Sequence, residues 1–388
     1  MLELLFLLLP IAAAYGWYMG RRGVRLDSQH SSHRLSRNYV AGINFLLSEQ
    51  PDKAVDLFIE LLQVDDETLE THLALGNLFR QRGEVDRAIR IHQNLVARPS
   101  LTYEQRNLAM LELARDFIAA GLLDRAEQSL LDLRKDEEYE EQAAQLLIDI
   151  YQQMREWPKA IDVAEQHKKR LGARVIPALA NFYCEQAEVD MADGQPRKAQ
   201  ARLKKALDID EHSVRASLRL AELYLSDGQP RAAIALLKAV GAQDADLICD
   251  ALPLLKRCFS EAEESDYAEI LNLWLEQSSS AAVVLELARI TERTVGREVA
   301  EQLVLKALKR HPTMKVFLRL MDYQMSEIDN PQGKESIGLL KRLVEEQIKS
   351  KPSHRCRHCG FSSRVIFWQC PSCKQWASIK PIRDLDGD

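Results

Sequence analysis

The 388-residue chain is poor in the residues that dominate β-rich, collagen-like or disordered proteins. It has only 16 glycines and 13 prolines, and aromatic side chains make up 6% of it. This composition excludes collagen-like chains and wholesale disorder, and it disfavours an all-β fold. Positive charge is not in excess either, since 52 basic and 58 acidic residues give a net charge of −6. A general polyanion binder is therefore not indicated. The abundance of Ala, Leu, Glu, Gln and Arg predicts a helix-rich protein instead.

The sequence also lacks the short motifs of the common enzyme classes. It contains no P-loop, no G-x-S-x-G, no H-E-x-x-H and no Rossmann glycine fingerprint. The pair Gly333-Lys334 lacks the upstream glycine that a phosphate-binding P-loop requires. We therefore expect no enzyme activity and no small-molecule substrate.

One long apolar run is present, at residues 2–20, and Glu3 is its only charged residue. Nineteen helical residues rise about 28 Å, which matches the hydrocarbon core of a bilayer. A cluster of basic residues follows the run at once: Arg21, Arg22 and Arg25. The positive-inside rule then predicts a transmembrane anchor at 1–20 with the bulk of the chain in the cytoplasm. The alternatives are a signal peptide cleaved near residues 12–14 and a buried soluble helix. Residues 21–36 are predicted to be a basic linker.

Residues 37–349 contain an internal repeat. The segments 193–199 and 227–233 are nearly identical and lie 34 positions apart. Extending this pattern gives a ladder of alanines, each preceded by a turn signal, at Ala54, Ala88, Ala126, Ala160, Ala199 and Ala233. The ladder resembles the tetratricopeptide-repeat family, which has two antiparallel helices per ~34 residues. We count six clear repeats and two or three degenerate ones, including 246–280 and 315–349. Such arrays imply a superhelix whose first helices form a concave groove for protein partners.

The seven cysteines fall into two groups. Three are isolated in helical sequence and are expected to be small core thiols in a reducing compartment: Cys184, Cys249 and Cys258. The other four form two C-x-x-C pairs within 18 residues: Cys356, Cys359, Cys370 and Cys373. Two such pairs supply the four thiolates that tetrahedral zinc or iron needs. We predict one metal ion in a small domain at 350–388, where the metal supplies much of the folding free energy.

The ten residues between the two cysteine pairs include a β-prone apolar stretch, 364–369, for which we predict a hairpin strand. The sequences C-G-F and W-x-C-P-x-C resemble rubredoxin-type metal knuckles, although the insert is short and Lys374 replaces the usual glycine. The choice between iron and zinc stays open. Residues 349–380 carry seven basic and no acidic side chains, which offset the thiolate charge or contact a partner.

The predicted fold class is therefore all-α. It is a tetratricopeptide-repeat superhelix, preceded by one transmembrane helix and followed by a small rubredoxin-like or zinc-ribbon metal domain. In this order of segments the whole chain resembles the lipopolysaccharide assembly protein B family of Gram-negative inner membranes. That resemblance implies a non-enzymatic adaptor. It implies an FtsH-type membrane protease and the lipid A pathway deacetylase as partners, together with other lipopolysaccharide assembly proteins.

Two other classes of function remain open from the residues alone. A tetrathiolate iron centre can carry electrons, and a reversible one-electron titration would indicate such a redox protein. A basic metal knuckle can contact RNA, and salt-dependent RNA binding would indicate a nucleic-acid scaffold. The acidic array and the absence of an aromatic stacking platform count against nucleic acid.

The anchor is testable on the mature protein. We expect N-terminal sequencing to find Met1 or Leu2, because the basic residues follow the apolar run as they do in an uncleaved anchor. A protease added outside the inner membrane should leave the array intact. A mature N-terminus near Tyr15, or cleavage of the array from outside, would contradict the prediction.

Overall fold

A computed structural model describes residues 41–42, 44–45, 53, 69–383 and 385. The predicted anchor at 2–20 and the linker at 21–36 lie outside these residues, so both stay predictions. Within the described part of the chain, no helix has the length and apolar character needed to cross a bilayer. The described residues divide between two compact units, 1–150 and 151–388.

Short helices follow one another from Leu69 to Ser350, and most successive helices pack together in pairs. In the first unit they are α1 (Leu69–Gln81), α2 (Val85–Val96), α3 (Tyr103–Ala119), α4 (Leu123–Leu133) and the greater part of α5 (Glu140–Met154). In the second unit they are α6 (Trp157–Leu171), α7 (Ile176–Ala192), α8 (Pro196–Ile209), α9 (Val214–Ser226), α10 (Pro230–Gln243), α11 (Ile248–Arg257), α12 (Glu264–Gln277), α13 (Ala281–Thr294), α14 (Arg297–Arg310), α15 (Met314–Glu327) and α16 (Pro331–Ser350). The arrangement is that of a tetratricopeptide-repeat protein, as predicted.

The alanine ladder marks the places where the helices approach most closely. Each ladder alanine that the structure describes has no exposed surface: Ala88, Ala126, Ala160, Ala199 and Ala233. Ala54, the first of the predicted ladder, lies outside the described residues. A methyl side chain leaves room for the neighbouring backbone, so larger apolar residues can pack above and below it.

The turn signals of the sequence end the first helix of each pair. In the repeat around residue 194, Gly194 has a φ of +71°. The N–H of the next residue, Gln195, donates to the Asp190 carbonyl at 2.8 Å. Glycine adopts this left-handed conformation without steric cost, and the bond satisfies a carbonyl at the helix end. Pro196 then opens α8, where its missing N–H has no helical partner.

The two segments with poor repeat consensus are also helical. Residues 246–280 contain α11 and α12, and Trp274 of α12 is fully buried in the core of the second unit. Residues 315–349 contain most of α15 and α16, but no residue of α16 is fully buried.

The isolated thiols behave largely as expected, since Cys184 and Cys258 are buried and Cys249 is half-buried. Burial raises the pKa of Cys184 to about 12.

The C-terminal segment forms a three-stranded antiparallel sheet. Its strands are β1 (His354–Cys356), β2 (Ser362–Ser363) and β3 (Ile379–Pro381), in the order β2-β1-β3. We call residues 354–381 the ribbon. The hairpin strand predicted at 364–369 is wrong, because this stretch is irregular apart from a single bridge between Gln369 and Trp376. Its apolar side chains Ile366 and Trp368 pack against the helices instead.

One repeat lacks the glycine of its turn, and this gives a stability prediction. Arg155 is exposed and has a φ of +58°, where the equivalent residues of other repeats are glycines. We expect Arg155→Gly to raise the free energy of unfolding by about 0.5–1 kcal/mol, because relief of left-handed strain outweighs the added freedom of the unfolded chain. Urea unfolding of the full chain would measure this. Gly194→Arg is the converse control and should destabilise, and a loss of stability in Arg155→Gly would contradict the argument.

Candidate metal centre and its contact with the helices

Two similar backbone turns present the four cysteines. The first turn follows β1, where the Gly360 N–H donates to the Cys356 carbonyl at 3.0 Å and Gly360 has a φ of +79°. The second turn repeats this geometry, because the Lys374 N–H donates to the Cys370 carbonyl at 2.9 Å. Lys374 has a φ of +61°, so the lysine adopts the conformation that glycine takes in the first turn. Lysine in place of the usual glycine therefore keeps the shape of the turn, at the cost of backbone strain.

The structure brings the four predicted ligand residues together. Their sulfur atoms all lie within 4.8 Å of one another. The Sγ atoms of Cys356 and Cys373 are 3.7 Å apart, as are those of Cys359 and Cys370. Four sulfurs at about 2.3 Å from one tetrahedral ion are separated by about 3.8 Å, whereas a disulfide requires about 2.05 Å. The spacing therefore fits a tetrathiolate site for one ion. Their role as ligands stays a prediction.

The electrostatics of the cluster favour a bound cation. Burial opposes ionisation of Cys356, but hydrogen bonds from Ser378 and from the backbone N–H groups of Cys359 and His358 outweigh it and lower its pKa to about 6. For Cys373, a hydrogen bond from the Gln375 backbone favours the thiolate, but burial and the neighbouring sulfurs prevail and raise its pKa to about 12. Four thiolates can thus coexist only when a positive ion offsets their repulsion.

The donor set does not discriminate between the two predicted metals. Thiolate sulfur is a soft ligand that suits both zinc and iron in tetrahedral sites. A bound ion would hold the two turns together and, with four protein ligands, would have no open position for water or substrate. His358 is exposed, and His354 points its Nε2 toward Asp250 at 3.3 Å.

The ribbon is held against the helices of the second unit by charge. The turn between α10 and α11 and the first part of α11 carry three aspartates, which we call the acidic turn: Asp244, Asp246 and Asp250. Lys380 of the ribbon pairs with the first of them and Arg357 with the second, and Arg383, just beyond the ribbon, also pairs with the second. The side chains of the three aspartates are only 17–24% exposed, so these pairs are partly shielded from solvent. Arg357 and Lys380, whose partners the sequence analysis left open, therefore pair with carboxylates of the same chain.

A second contact is aromatic. Trp376 donates from Nε1 to the Gln152 side-chain oxygen at 2.7 Å. Its ring meets the rings of Trp157 and Phe182 edge-on, with centroids 6.4 and 6.0 Å away. The Arg215 guanidinium lies 6.0 Å from the Trp376 ring centroid. Aromatic and cation–π contacts of this kind each contribute about 0.5–1.5 kcal/mol beyond burial.

The contact surface draws on the first helix of four successive pairs. Gln152 belongs to α5, Phe182 to α7, Arg215 to α9 and Asp250 to α11. Ile366 and Trp368 of the ribbon add apolar contacts with the core built by α9 to α13. The ribbon therefore lies on the first-helix face that repeat arrays of this type use for binding.

Comparison with known proteins agrees with this architecture. Two family profiles described as "Tetratricopeptide repeat" match residues 71–102 and 190–251. A third profile, described as "Rubredoxin metal binding domain", matches residues 354–381. Lipopolysaccharide assembly protein B of Escherichia coli strain K12 is 48% identical over 388 residues, which cover 100% of both chains. The protein of that name from Haemophilus influenzae strain Rd is 44% identical over 395 aligned positions, again across 100% of both chains.

The metal site gives a direct prediction. We expect Cys370→Ser to lower the metal content from one equivalent to near zero, because a buried thiolate is replaced by a poor ligand. The helical circular dichroism should change little, since the helices fold around their own core. Elemental analysis of freshly purified, reduced protein measures the metal, with Cys249→Ser as the matched control. Wild-type protein with far less than one metal per chain would contradict the site.

Proposed function

The chain belongs to the lipopolysaccharide assembly protein B family, and from that membership we propose that it serves lipopolysaccharide assembly as a non-enzymatic adaptor of the bacterial inner membrane. In this role the repeat array and the ribbon together bind an FtsH-type membrane protease and the lipid A pathway deacetylase, and they promote degradation of the deacetylase. The same surfaces gather other lipopolysaccharide assembly proteins. The predicted anchor at 1–20 keeps the array at the cytoplasmic side of the membrane.

The observation that carries the proposal is the contact of the ribbon with the first-helix face. Ion pairs and aromatic contacts hold the ribbon on a protein-binding surface, which supports a role of the metal in shaping that surface. The four thiolates also leave no coordination site for catalysis. We therefore assign the metal a structural role. It shapes the ribbon, and the ribbon becomes part of the binding surface.

The repeat array also supplies a surface for a protein partner. A groove of about 360 Å³ is lined mainly by residues of α7 and α9, with Met191 and Leu223 among its apolar lining residues. Arg219 bridges Glu188 and Glu222 along the groove, at 2.8 and 2.9 Å. A groove with an apolar floor and charged edges suits an extended peptide segment of a partner.

The geometry removes two of the seven basic residues at 349–380 from the RNA-binding alternative. Arg357 and Lys380 pair with aspartates of the acidic turn, as does Arg383 beyond that stretch. Cations that already face carboxylates contribute less to phosphate binding, because those pairs must be broken first.

The proposal is tested by detaching the ribbon without removing its metal. Asp246→Lys replaces two attractions, to Arg357 and Arg383, with repulsions and should weaken the contact by about 2 kcal/mol. In cells that carry only this variant, we expect the deacetylase to be degraded more slowly. We also expect crosslinking from membranes to recover less protease and deacetylase. Half-lives from pulse-chase labelling and quantitative mass spectrometry are the two measurements.

Asp208→Lys is the matched control, because Asp208 is an exposed aspartate of α8 that does not line the groove and does not belong to the acidic turn. It should behave as wild type. The metal content of Asp246→Lys must stay at one equivalent for the comparison to report on the contact alone. Normal deacetylase turnover in a variant with a detached ribbon would refute the role proposed for the contact surface.

A further inference from the structure

A cavity outside the ribbon contact surface has the lining of a small-molecule site. It encloses about 360 Å³ between α12, α13, α14 and α15. Small-molecule pockets in proteins typically begin at about 300 Å³. The floor is apolar and is formed by Leu275, Ala281, Val284, Leu303, Ala307 and Val316. All six belong to the hydrophobic cluster of α13 to α15 or pack against it, so the floor is firmly held.

One rim of the cavity is basic. Lys306 and Arg310 lie on the last turns of α14, and His311 follows them directly. All three side chains are exposed. Within the described residues, none of the three forms an ion pair with a carboxylate. Two full positive charges above an apolar floor attract an anion that carries an apolar substituent.

The opposite rim limits where that anion can lie. It is formed by Asn272, Glu276 and Ser279, of which Glu276 alone is charged. A carboxylate there repels a second anionic group, while the amide and hydroxyl can bind neutral polar groups. The ligand must therefore carry its negative charge at the α14 end only.

We propose that this cavity binds a phosphate monoester with a short apolar chain. The phosphate lies between Lys306 and Arg310, whose two charges match its dianion better than they match a carboxylate. The chain lies on the floor against Val284 and Val316. This site is independent of the adaptor function proposed above, since no residue of the cavity belongs to the ribbon or the acidic turn.

The cavity also borders the segment that follows the ribbon. Arg383 donates to the Ser278 hydroxyl at 2.8 Å, and the Met314 N–H donates to the Leu385 carbonyl at 2.8 Å. Ser278 precedes the lining residue Ser279, and Met314 follows the lining residue Thr313. A bound ligand would thus lie beside the two turns that hold the end of the ribbon segment.

The test uses hexyl phosphate as the probe and calorimetric titration of the full chain in nanodiscs, with empty nanodiscs subtracted. We expect saturable binding at one site per chain. Inorganic phosphate lacks the chain, 1-hexanol lacks the charge and hexanoate carries a single charge, so each should bind more weakly. The double variant Lys306→Gln with Arg310→Gln should bind hexyl phosphate about tenfold more weakly, as expected for two exposed charge pairs.

Lys309→Gln is the matched control, because Lys309 is exposed on the same helix but does not line the cavity. It should bind like wild type. Ser279→Phe places a bulky ring at the mouth without altering the buried core, and it should block binding. The proposal is overturned by an absence of saturable binding, by equal affinity for inorganic phosphate and hexyl phosphate, or by equal weakening in Lys309→Gln and the double variant.

Discussion

The close approach of helices at fully buried alanines is the constraint on which the rest of the structure depends. Ala160, Ala199 and Ala233 have no exposed surface, and each occupies the same place in its repeat. This approach fixes the distance between the first helix of one pair and the first helix of the next pair. The ribbon contacts four successive first helices, so it can meet them all only if that distance is kept. A site assembled from separate helices is as precise as the packing between them.

The ribbon is too small to fold on its own core. Its buried apolar residues are few, with Ile379 and the cysteines Cys356 and Cys370, which are predicted ligands, at their centre. A domain of this size needs a metal or an external surface, and this one has the external surface and four cysteines that could hold a metal. A bound ion would join the two turns, while the helices cover Ile366 and Trp368, which would otherwise expose apolar surface to water. The ion and the contact surface would therefore stabilise different parts of one small fold.

The sequence predicted the elements whose signal is local or periodic. The alanine ladder gave the helix pairs, and the C-x-x-C pairs gave a cluster whose sulfurs lie within 4.8 Å of one another. It did not reveal the acidic turn, because the basic side chains that pair with Asp244, Asp246 and Asp250 are more than a hundred residues away in sequence. They come close to the aspartates only through the fold. The stretch 364–369 was misjudged for a related reason, since its β propensity is outweighed by contacts with distant helices.

The contact also decides which surfaces remain for other proteins. Trp376 occupies the first-helix face much as a bound peptide residue would, with its ring against Trp157 and Phe182 and its N–H satisfied by Gln152. That part of the face is therefore already filled by the chain itself. The surfaces that remain for a partner include the groove lined by α7 and α9 and the ribbon itself, where Val365 is 58% exposed. The helices and the metal domain thus present one composite surface, and loss of the ribbon would alter both the part it covers and the part it adds.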